Sequence, residues 1–325
     1  MSMTKLNMTN PTFYKLSPAY QSYLWGGKRL SKEYGKSKAF PILAESWECS
    51  THPNGLSYIP EFNQTLAKRI QDYPQGLGSH CSAGLPILVK FIDAYDDLSV
   101  QVHPDDNYAH NHENGQNGKT ELWYVVDASK NAQLIYGFYE DVTSMQLKES
   151  IHEGSIDKYL QKVPVQSDDV FLIKPGLVHA IGKGCLIVEI QQNSDLTYRL
   201  YDYNRKDANG NLRQLHIDKA MEVLNFNASD PAKQPLRVLK YYPGYAKELL
   251  GITAYFMVQR LLINASGVEF ITQSTSFALL VCIAGNATIA NNSKQVQINK
   301  GDTVLVEANQ TAYLSGNARF IEVTC

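Results

Sequence analysis

The sequence lacks an excess of charge of either sign. Its 325 residues include 30 Lys and Arg against 32 Asp and Glu, which gives a formal net charge of -2. Because no global basic field exists, neither nucleic acid nor an anionic membrane is an expected partner, and any anion would have to be bound by a few local cations. Charged residues make up only 19% of the chain and apolar residues 44%. That balance excludes a disordered protein and supplies material for at least one sizeable core.

Paired cysteines and long apolar segments are also missing. The five cysteines are odd in number and form no C-x-x-C pair, so a disulfide framework is not indicated and a reducing compartment is the default. The opening residues MSMTKLNMTNPTFYKL contain no apolar stretch of signal-peptide length. No run approaches the roughly 20 apolar residues of a membrane span. We therefore expect a soluble, cytoplasmic protein.

Strand patterns dominate the first two-thirds of the chain, whereas helical periodicity is sparse. Short segments rich in β-branched and aromatic residues, mostly bounded by turn residues, cover 85–92, 98–103, 121–126, 170–173 and 185–191. Helical patterns are confined to three stretches, 65–72, 141–161 with a break at Gly154, and 216–224. Many strands with few helices favour a β-sandwich or barrel over a parallel βαβ sheet.

A polar segment with two prolines, 225–236, is interpreted as a linker between two domains. The predicted domains are 1–235 and 236–325, and the second is again rich in strands and looks like a smaller jelly roll. It contains no histidine, since His216 is the last one in the chain. Any imidazole chemistry is therefore predicted to lie in 1–235, and 236–325 is predicted to be non-catalytic.

The segment 98–103 carries the clearest chemical pattern. Alternate residues of a strand share a face, so Gln101 and His103 point one way while the two valines beside them point the other. Glu121 opens a later strand, and the turn KPGLVH ends in His179. One amide oxygen, two imidazoles and one carboxylate form a donor set for zinc or another divalent first-row metal, with positions left open to water.

Each of these residues alone has a more ordinary interpretation. A single His on a strand is usually a hydrogen-bonded core or surface residue, and an isolated Glu is usually solvated. Only the ordered combination indicates a metal-binding cupin: Gln and His alternating on one strand, Glu on a second, and a Pro-Gly-x-x-His turn after a third. His110 and His112 lie in a Gly- and Asn-rich segment and are expected to be solvated rather than ligating.

Several longer stretches resemble one known family. LPILVKFIDAYDDLSVQVHPDD, GKTELWYVVDA, FLIKPGLVHAIG and NSDLTYRLYDYNRKDANGNLRQLH look like the short bacterial type of mannose-6-phosphate isomerase. YLWGGKRL and AESWECSTHPNG are similar to the N-terminal signatures of that family. The resemblance is close over about the first 225 residues and looser over the remainder. It implies a cupin-type jelly-roll catalytic domain with a few helices, followed by a smaller C-terminal jelly-roll-like β-domain.

Carried over residue by residue, the resemblance implies a complete metal site. The family's zinc ligands correspond to Gln101, His103, Glu121 and His179, the four positions already selected, with one zinc ion per chain. Larger, eukaryotic-type members have a Tyr two residues after the last zinc ligand, where this chain has Ile181. That contact does not transfer, so sugar recognition at this position is left open.

The resemblance also implies a set of catalytic and substrate-binding residues. The family's catalytic arginine corresponds to Arg199, which is also a candidate substrate contact. Other phosphate or sugar contacts correspond to Lys90 and Ser99, and a substrate-binding lysine to Lys119. An acidic residue implicated in some members corresponds to Asp195.

The implied reaction is the interconversion of D-mannose 6-phosphate and D-fructose 6-phosphate through a cis-enediol. The base that moves a proton between C1 and C2 is left open among Asp195, Glu189, Lys119 and a zinc-bound water. The alternative hypothesis is a non-catalytic cupin that binds metal and sugar phosphate. The substrate is the only small-molecule partner expected, and the chain is expected to be a monomer or weak homodimer.

Overall fold

The computed structural model of the protein describes residues 13–206, 209–230 and 234–325, and within these ranges the chain is mainly β, as predicted. Its strands are β1 (Phe13–Leu16), β2 (Ala19–Gln21), β3 (Glu45–Cys49), β4 (Tyr58–Ile59), β5 (Gln64–Thr65), β6 (Ile87–Asp93), β7 (Val100–Val102), β8 (Glu121–Ala128), β9 (Gln133–Phe138), β10 (Leu160–Pro164), β11 (Val170–Ile173), β12 (His179–Ile181), β13 (Cys185–Gln192), β14 (Tyr198–Tyr201), β15 (Leu239–Tyr242), β16 (Tyr245–Ile252), β17 (Met257–Ile271), β18 (Ala278–Ala290), β19 (Gln295–Asn299), β20 (Thr303–Val306) and β21 (Thr311–Thr324).

The α-helices within the described ranges are short. They are α1 (Arg29–Glu33), α2 (Leu66–Asp72), α3 (Asp106–His112), α4 (Ser144–Glu153) and α5 (Ile217–Val223). No helix in this part of the chain is long and apolar enough to span a membrane.

The chain folds as two compact units. The larger comprises Pro18–Leu56 and Ile87–Leu236, and the smaller contains Ser57–Pro86 and Arg237–Cys325 together with β1. The predicted domain boundary at 235/236 lies next to the point where the chain passes from the larger unit to the smaller one, between Leu236 and Arg237. A division into two consecutive domains does not account for Ser57–Pro86, which belongs to the smaller unit with the C-terminal residues. The predicted linker over 225–236 includes 231–233, which lie outside the described residues. The non-catalytic role of 236–325 stays a prediction.

The larger unit contains two antiparallel sheets. One has six strands in the order β11-β8-β13-β6-β3-β2, and the other has five in the order β10-β9-β12-β7-β14. A shared apolar core includes Ile92, Trp123 and Ile187 from the first sheet and Leu134 and Ile181 from the second. The two sheets therefore pack face to face, which is the sandwich architecture that the strand pattern predicts.

The outer face of the five-stranded sheet is covered by helices. Val100 and Val102 of β7 belong to a second core together with Leu147 of α4 and Ala220 of α5. Burying a valine contributes about 1.5–3 kcal/mol. A slip of β7 by one residue would turn both valines away from this core and toward the other sheet, so this core fixes which residues of β7 face each side.

The observed helices correct two details of the sequence prediction. The helix predicted over 141–161 ends at Glu153, because Gly154 has a φ of 71°, and residues from Leu160 onward form β10. The segment with His110 and His112 forms helix α3, which begins after the side chain of Asp105 caps the amide of Tyr108. Both histidines are exposed, as predicted. The helices predicted over 65–72 and 216–224 are confirmed by α2 and α5.

The smaller unit is built on one bent antiparallel sheet. Its strands follow the order β1-β20-β18-β21-β17-β16-β15, and β19 pairs with β18. Strand β18 is continuous over Ala278–Ala290, with a bulge between Cys282 and Ala284. Gly285 adopts a φ of 73°, and a Cβ there would lie 2.1 Å from the carbonyl oxygen of Asn317. Glycine is therefore needed where the strand bends.

A buried ion pair joins the two parts of the smaller unit. Arg69 of α2 places its Nη2 2.8 Å and its Nε 2.9 Å from Oε1 of Glu307, which follows β20. Both side chains are buried, and the guanidinium also lies over the rings of Phe62 and Tyr73. Removing one partner of such a pair leaves an uncompensated buried charge.

We predict that Arg69→Ala lowers the free energy of unfolding of this unit by about 3–5 kcal/mol. Lys68→Ala is the matched control, because the Lys68–Asp72 pair is exposed and pairs of this kind contribute about 0–1 kcal/mol. Denaturant titration of both variants measures the difference. A loss below about 1 kcal/mol for Arg69→Ala would show that the pair does not stabilise the unit.

Candidate active site

The structure brings the sequence-predicted metal ligands together. Side-chain donor atoms of His103, Glu121 and His179 all lie within 4.8 Å of one another. The two Nε2 atoms are 3.1 Å apart, and His103 Nε2 lies 3.1 Å from Glu121 Oε1. His179 Nε2 lies 3.8 Å from Glu121 Oε2, and the amide nitrogen of Gln101 lies 3.4 Å from His179 Nε2. His103, Glu121 and His179 therefore form one buried centre, with the half-buried Gln101 beside it.

Strand pairing explains why distant residues meet here. His179 is directly opposite Gln101 in the β12–β7 pair, and His103 follows β7 immediately. Glu121 is the first residue of β8 in the facing sheet, where it is opposite Gln191. Because the valines of β7 pack against the helices, the Gln101 and His103 side chains point between the sheets toward Glu121.

The imidazoles are oriented by backbone carbonyls. His103 Nδ1 lies 2.8 Å from the carbonyl oxygen of Leu196, and His179 Nδ1 lies 2.8 Å from that of Leu177. A carbonyl only accepts hydrogen bonds, so each Nδ1 carries the hydrogen and each Nε2 presents a lone pair. Metal-binding histidines are commonly held in this way.

The protonation states of His103, His179 and Glu121 are those that metal binding requires. Burial, reinforced by the nearby His103, lowers the pKa of His179 to about 3. Burial and Lys119 likewise lower the pKa of His103, so both rings are neutral near pH 7. Burial alone would raise the pKa of Glu121, but Lys119 and His103 hold it well below its usual value. The centre thus contains two neutral imidazoles and one carboxylate.

Lone pairs of two imidazoles and one carboxylate converge at this point, beside the amide nitrogen of Gln101 and the ammonium of Lys119. Neither carboxylate oxygen of Glu121 has a hydrogen-bond partner among the described residues. Lys119 Nζ forms an ion pair with Glu121 Oε1 at 2.7 Å and balances its charge. Buried polar atoms are normally satisfied. A cation bound between the imidazoles and the carboxylate would satisfy them, so the residues present fit a metal ion.

A cavity of about 340 Å³ opens beside this centre. It is within the size range of small-molecule sites. Every other candidate residue from the sequence contributes to its wall. These residues are Lys90, Ser99, Lys119, Glu189, Asp195 and Arg199, and Gln101 is also part of the lining.

Two buried carboxylates and one lysine form a linked network in this wall. Lys90 Nζ lies 3.3 Å from Glu189 Oε2 and 3.7 Å from Glu45 Oε2. Trp123 Nε1 donates to Glu189 Oε1 at 2.9 Å, and Trp47 Nε1 donates to Glu45 Oε2 at 2.6 Å. Burial and the charge of Glu121 raise the pKa of Glu189 to about 7, against the opposing effect of Lys90. Glu189 can therefore gain or lose a proton near neutral pH.

Arg199 and Asp195 lie on the strand β14 side of the cavity. Arg199 is opposite Gln101 in the β14–β7 pair, and its Nε donates to Ser99 Oγ at 3.2 Å. Its Nη1 donates to the carbonyl oxygen of Gln214 at 2.9 Å. Asp195 accepts a hydrogen bond of 2.9 Å from Asn54 Nδ2. Both residues are therefore positioned by neighbours while still lining the cavity.

The cavity also contains residues that the sequence analysis did not select. They are Tyr23, Trp25, Glu45, Ile92, Leu98, Thr197 and Arg213. Tyr23, Trp25 and Glu45 lie in the motifs YLWGGKRL and AESWECSTHPNG, so those motifs contained the signal. Arg213 lies in the quoted stretch NSDLTYRLYDYNRKDANGNLRQLH, which therefore contained a signal for it as well. Ile181, where larger family members have Tyr, is also part of the wall and makes that surface apolar.

Two facing antiparallel sheets, with a His/Glu/His group between them whose donor atoms fit a metal ion, form a cupin-type architecture. The phosphomannose isomerase type I catalytic domain model matches residues 13–119, and the mannose-6-phosphate isomerase cupin domain model matches 247–325. Mannose-6-phosphate isomerase ManA of Bacillus subtilis is 38% identical over 305 residues, which cover 92% of this chain and 93% of that protein. Mannose-6-phosphate isomerase of Streptococcus mutans is 37% identical over 302 residues, which cover 92% and 93%.

Solved structures agree with these relatives. A crystal structure of mannose 6-phosphate isomerase from Bacillus subtilis superposes with a TM-score of 0.89 at 31% identity, covering 96% of this chain and 99% of the other. Apo mannose 6-phosphate isomerase from Salmonella typhimurium, at 18% identity and a TM-score of 0.76, covers 97% and 99% and shares the fold. The chain belongs to the type I mannose-6-phosphate isomerase family and is an isomerase. The predicted family, cupin fold and enzyme class are confirmed, while the roles of individual residues stay predictions.

We predict that His103→Ala retains less than about one-tenth of the metal bound by the unaltered protein, because one of two imidazole donors is lost. His110→Ala is the control, since that histidine is exposed on α3 and contacts Asn117. Elemental analysis of both purified variants measures metal per chain. Full metal content in His103→Ala would remove this residue from the ligand set.

Proposed function

We propose that the chain is a zinc-dependent isomerase that interconverts D-mannose 6-phosphate and D-fructose 6-phosphate through a cis-enediol. The observation that carries the proposal is the pair of Nε2 atoms held 3.1 Å apart beside an ionised Glu121, at the wall of a cavity that also contains Lys119 and Arg199. The family relationship supplies the substrate class. A cytoplasmic enzyme acting as a monomer or weak dimer is consistent with this proposal.

Gln101, His103, Glu121 and His179 would hold the metal ion. Two imidazoles, an amide and a carboxylate, with no thiolate, suit zinc and leave coordination positions for substrate. When bound, zinc would act as a Lewis acid toward the sugar oxygens.

Side chains of the protein would carry out the remaining steps of the reaction. A hydrogen on a carbon beside a carbonyl is only weakly acidic, so the reaction needs a base and a site that stabilises negative charge on the enediolate. The guanidinium of Arg199 is permanently charged and forked, which suits it to that oxygen charge. Lys119, buried and 2.7 Å from Glu121, is held near the same position and can polarise a sugar oxygen.

Of the carboxylates left open by the sequence, Asp195 is the better base. Both oxygens of Glu189 are already engaged, one by Trp123 and the other by Lys90. Asp195 is half-buried and uses Oδ2 for its bond with Asn54. We therefore assign proton transfer at C1 and C2 to Asp195. Glu189, with its pKa near 7, would adjust the charge around Lys90.

The phosphate is best placed beside the arginines. Arg199 and Arg213 line the same cavity, and the charge of Arg213 contributes, after burial, to lowering the pKa of Arg199. The carboxylate of Asp202 neutralises the positive charge of this region only in part, because it forms ion pairs with both Arg205 and Arg213. Lys90, by contrast, is already paired with two carboxylates. An anionic group between the arginines would relieve the repulsion between them.

A coupled assay of mannose 6-phosphate conversion tests the proposal directly. We expect turnover to fructose 6-phosphate by the purified chain, loss of turnover when a chelator removes the metal, and recovery when zinc is restored. Elemental analysis must confirm that the metal has been removed. Unchanged turnover by metal-free protein would contradict the zinc requirement, and absence of turnover by the zinc-loaded protein would contradict the assigned reaction.

Arg199→Ala should keep its metal and lose at least ~100-fold in kcat, since an arginine at the enediolate acts in the transition state. Arg213→Ala is the matched comparison, because a guanidinium that binds only phosphate should mainly affect KM. Steady-state kinetics at several substrate concentrations separate the two parameters. A near-normal kcat with a raised KM in Arg199→Ala would reassign that residue to phosphate binding.

A further inference from the structure

Two of the five cysteines meet in the smaller unit. Cys81 ends the short 3-10 helix Ser79–Cys81, and Cys325 follows β21. The thiol of Cys81 is hydrogen-bonded to the side chain of Cys325. Both residues are reduced in the structure, and they are separated by most of the sequence.

The backbone holds both cysteines in place. The amides of Ser79 and His80 donate to the carbonyl oxygens of Ser274 and Thr275, at 3.2 and 2.9 Å. The amide of Cys325 donates to Ser276 Oγ at 2.8 Å, so Cys325 and the two residues that precede Cys81 are attached to the same segment, 274–276. Nδ1 of His80 also lies 3.2 Å from the carbonyl oxygen of Cys325. Their contact is therefore fixed by main-chain hydrogen bonds rather than by two mobile side chains.

Close packing supports the same conclusion. Gly78, which precedes the 3-10 helix, has a φ of 89°, and a Cβ there would lie 2.4 Å from the carbonyl carbon of Thr275. The main chain before Cys81 thus lies directly against the segment that holds Cys325. Cys81 and Cys325 are therefore held on neighbouring stretches of main chain.

The pair differs from the other cysteines in reactivity and access. Burial raises the pKa of Cys185 and of Cys282 to about 12, whereas the hydrogen bond from Cys325 lowers that of Cys81. Cys81 is only 3% exposed, but Cys325 is half-buried and lines a cavity of about 500 Å³ that is open to solvent. A small oxidant can therefore reach Cys325 first, and Cys81 is placed to respond.

We propose that Cys81 and Cys325 are a modification site that forms a reversible disulfide with a low-molecular-weight disulfide such as oxidised glutathione. The Cys325 thiolate attacks one glutathione sulfur, forms a mixed disulfide and releases one glutathione thiolate. The Cys81 thiolate then attacks the Cys325 sulfur and releases the second. Two cysteine thiols lose two protons and two electrons, and one oxidised glutathione becomes two reduced glutathiones.

The bond would connect the segment 57–86 covalently to the end of β21. It would close a loop that includes most of the chain, and long closed loops restrict the unfolded state most strongly. The expected consequence is a higher unfolding temperature for the oxidised protein, reversed by dithiothreitol. This inference concerns the smaller unit and does not depend on the proposed reaction.

The test is to incubate the purified full-length chain with oxidised glutathione, block the remaining thiols by alkylation, and map disulfide-linked peptides by mass spectrometry. We expect one dithiothreitol-sensitive link between the peptides that contain Cys81 and Cys325, and an unfolding temperature higher by about 5 °C or more. Recovery of Cys81 alkylated, or of Cys325 still carrying glutathione, would overturn the proposal.

Two serine variants test the order of the steps. In Cys81→Ser, Cys325 should remain glutathionylated, because no second thiol is placed to displace the glutathione. In Cys325→Ser, Cys81 should remain a free thiol, because it is buried. Glutathionylation of Cys81 in the second variant, or a link to Cys49, Cys185 or Cys282 in the unaltered protein, would contradict the assigned pair.

Discussion

The rest of the larger unit depends on one constraint. The Nε2 atoms of the neutral His103 and His179 side chains face each other at 3.1 Å. Such an arrangement is unfavourable without a cation, and it persists because backbone carbonyls hold both Nδ1 atoms and the strand register holds both rings. The register is in turn fixed by Val100 and Val102 in the outer core. Apolar packing on one face of β7 therefore determines the chemistry on the other.

The cavity wall contains several buried charged side chains, each of which would destabilise the fold if it had no partner of opposite charge. Lys90, Lys119, Glu121 and Glu189 are each less than 5% exposed. Buried charges weaken a fold unless they are paired and hydrogen-bonded, and here lysines alternate with carboxylates while two tryptophans donate to the carboxylates. The two apolar cores offset the remaining cost. This arrangement fixes charged groups before substrate arrives, which is the physical basis of electrostatic catalysis.

Local periodicity predicted strands β6, β7, β8, β11 and β13 and the residues that meet between the sheets, whereas β12 and β14 were not predicted and metal binding stays a prediction. Gln101 and His103 alternate with valines, so the inward face could be identified without knowing the partner strands. Helix α3, which the side chain of Asp105 caps, was not predicted because the segment with His110 and His112 is rich in Gly and Asn and resembled a loop. Long-range contacts leave no periodic signal. The assignment of Ser57–Pro86 to the smaller unit, and the contact of Cys81 with Cys325, depend on residues far apart in sequence.

Charged side chains are distributed unequally around the cavity. This polarity of the cavity determines which end of the substrate each side would bind in the proposed reaction. The metal centre and the carboxylates Glu189 and Asp195 define a side suited to proton transfer, whereas Arg199 and Arg213 bring two guanidinium groups that Asp202 only partly compensates. A sugar phosphate has the same polarity, with a dianionic group at one end and the reacting carbons at the other. Arg199 is opposite Gln101 in the β14–β7 pair, which places it beside the His/Glu/His centre as well as beside Arg213 in the cavity wall. Its place between the two regions explains why one residue can be a candidate for both phosphate binding and enediolate stabilisation.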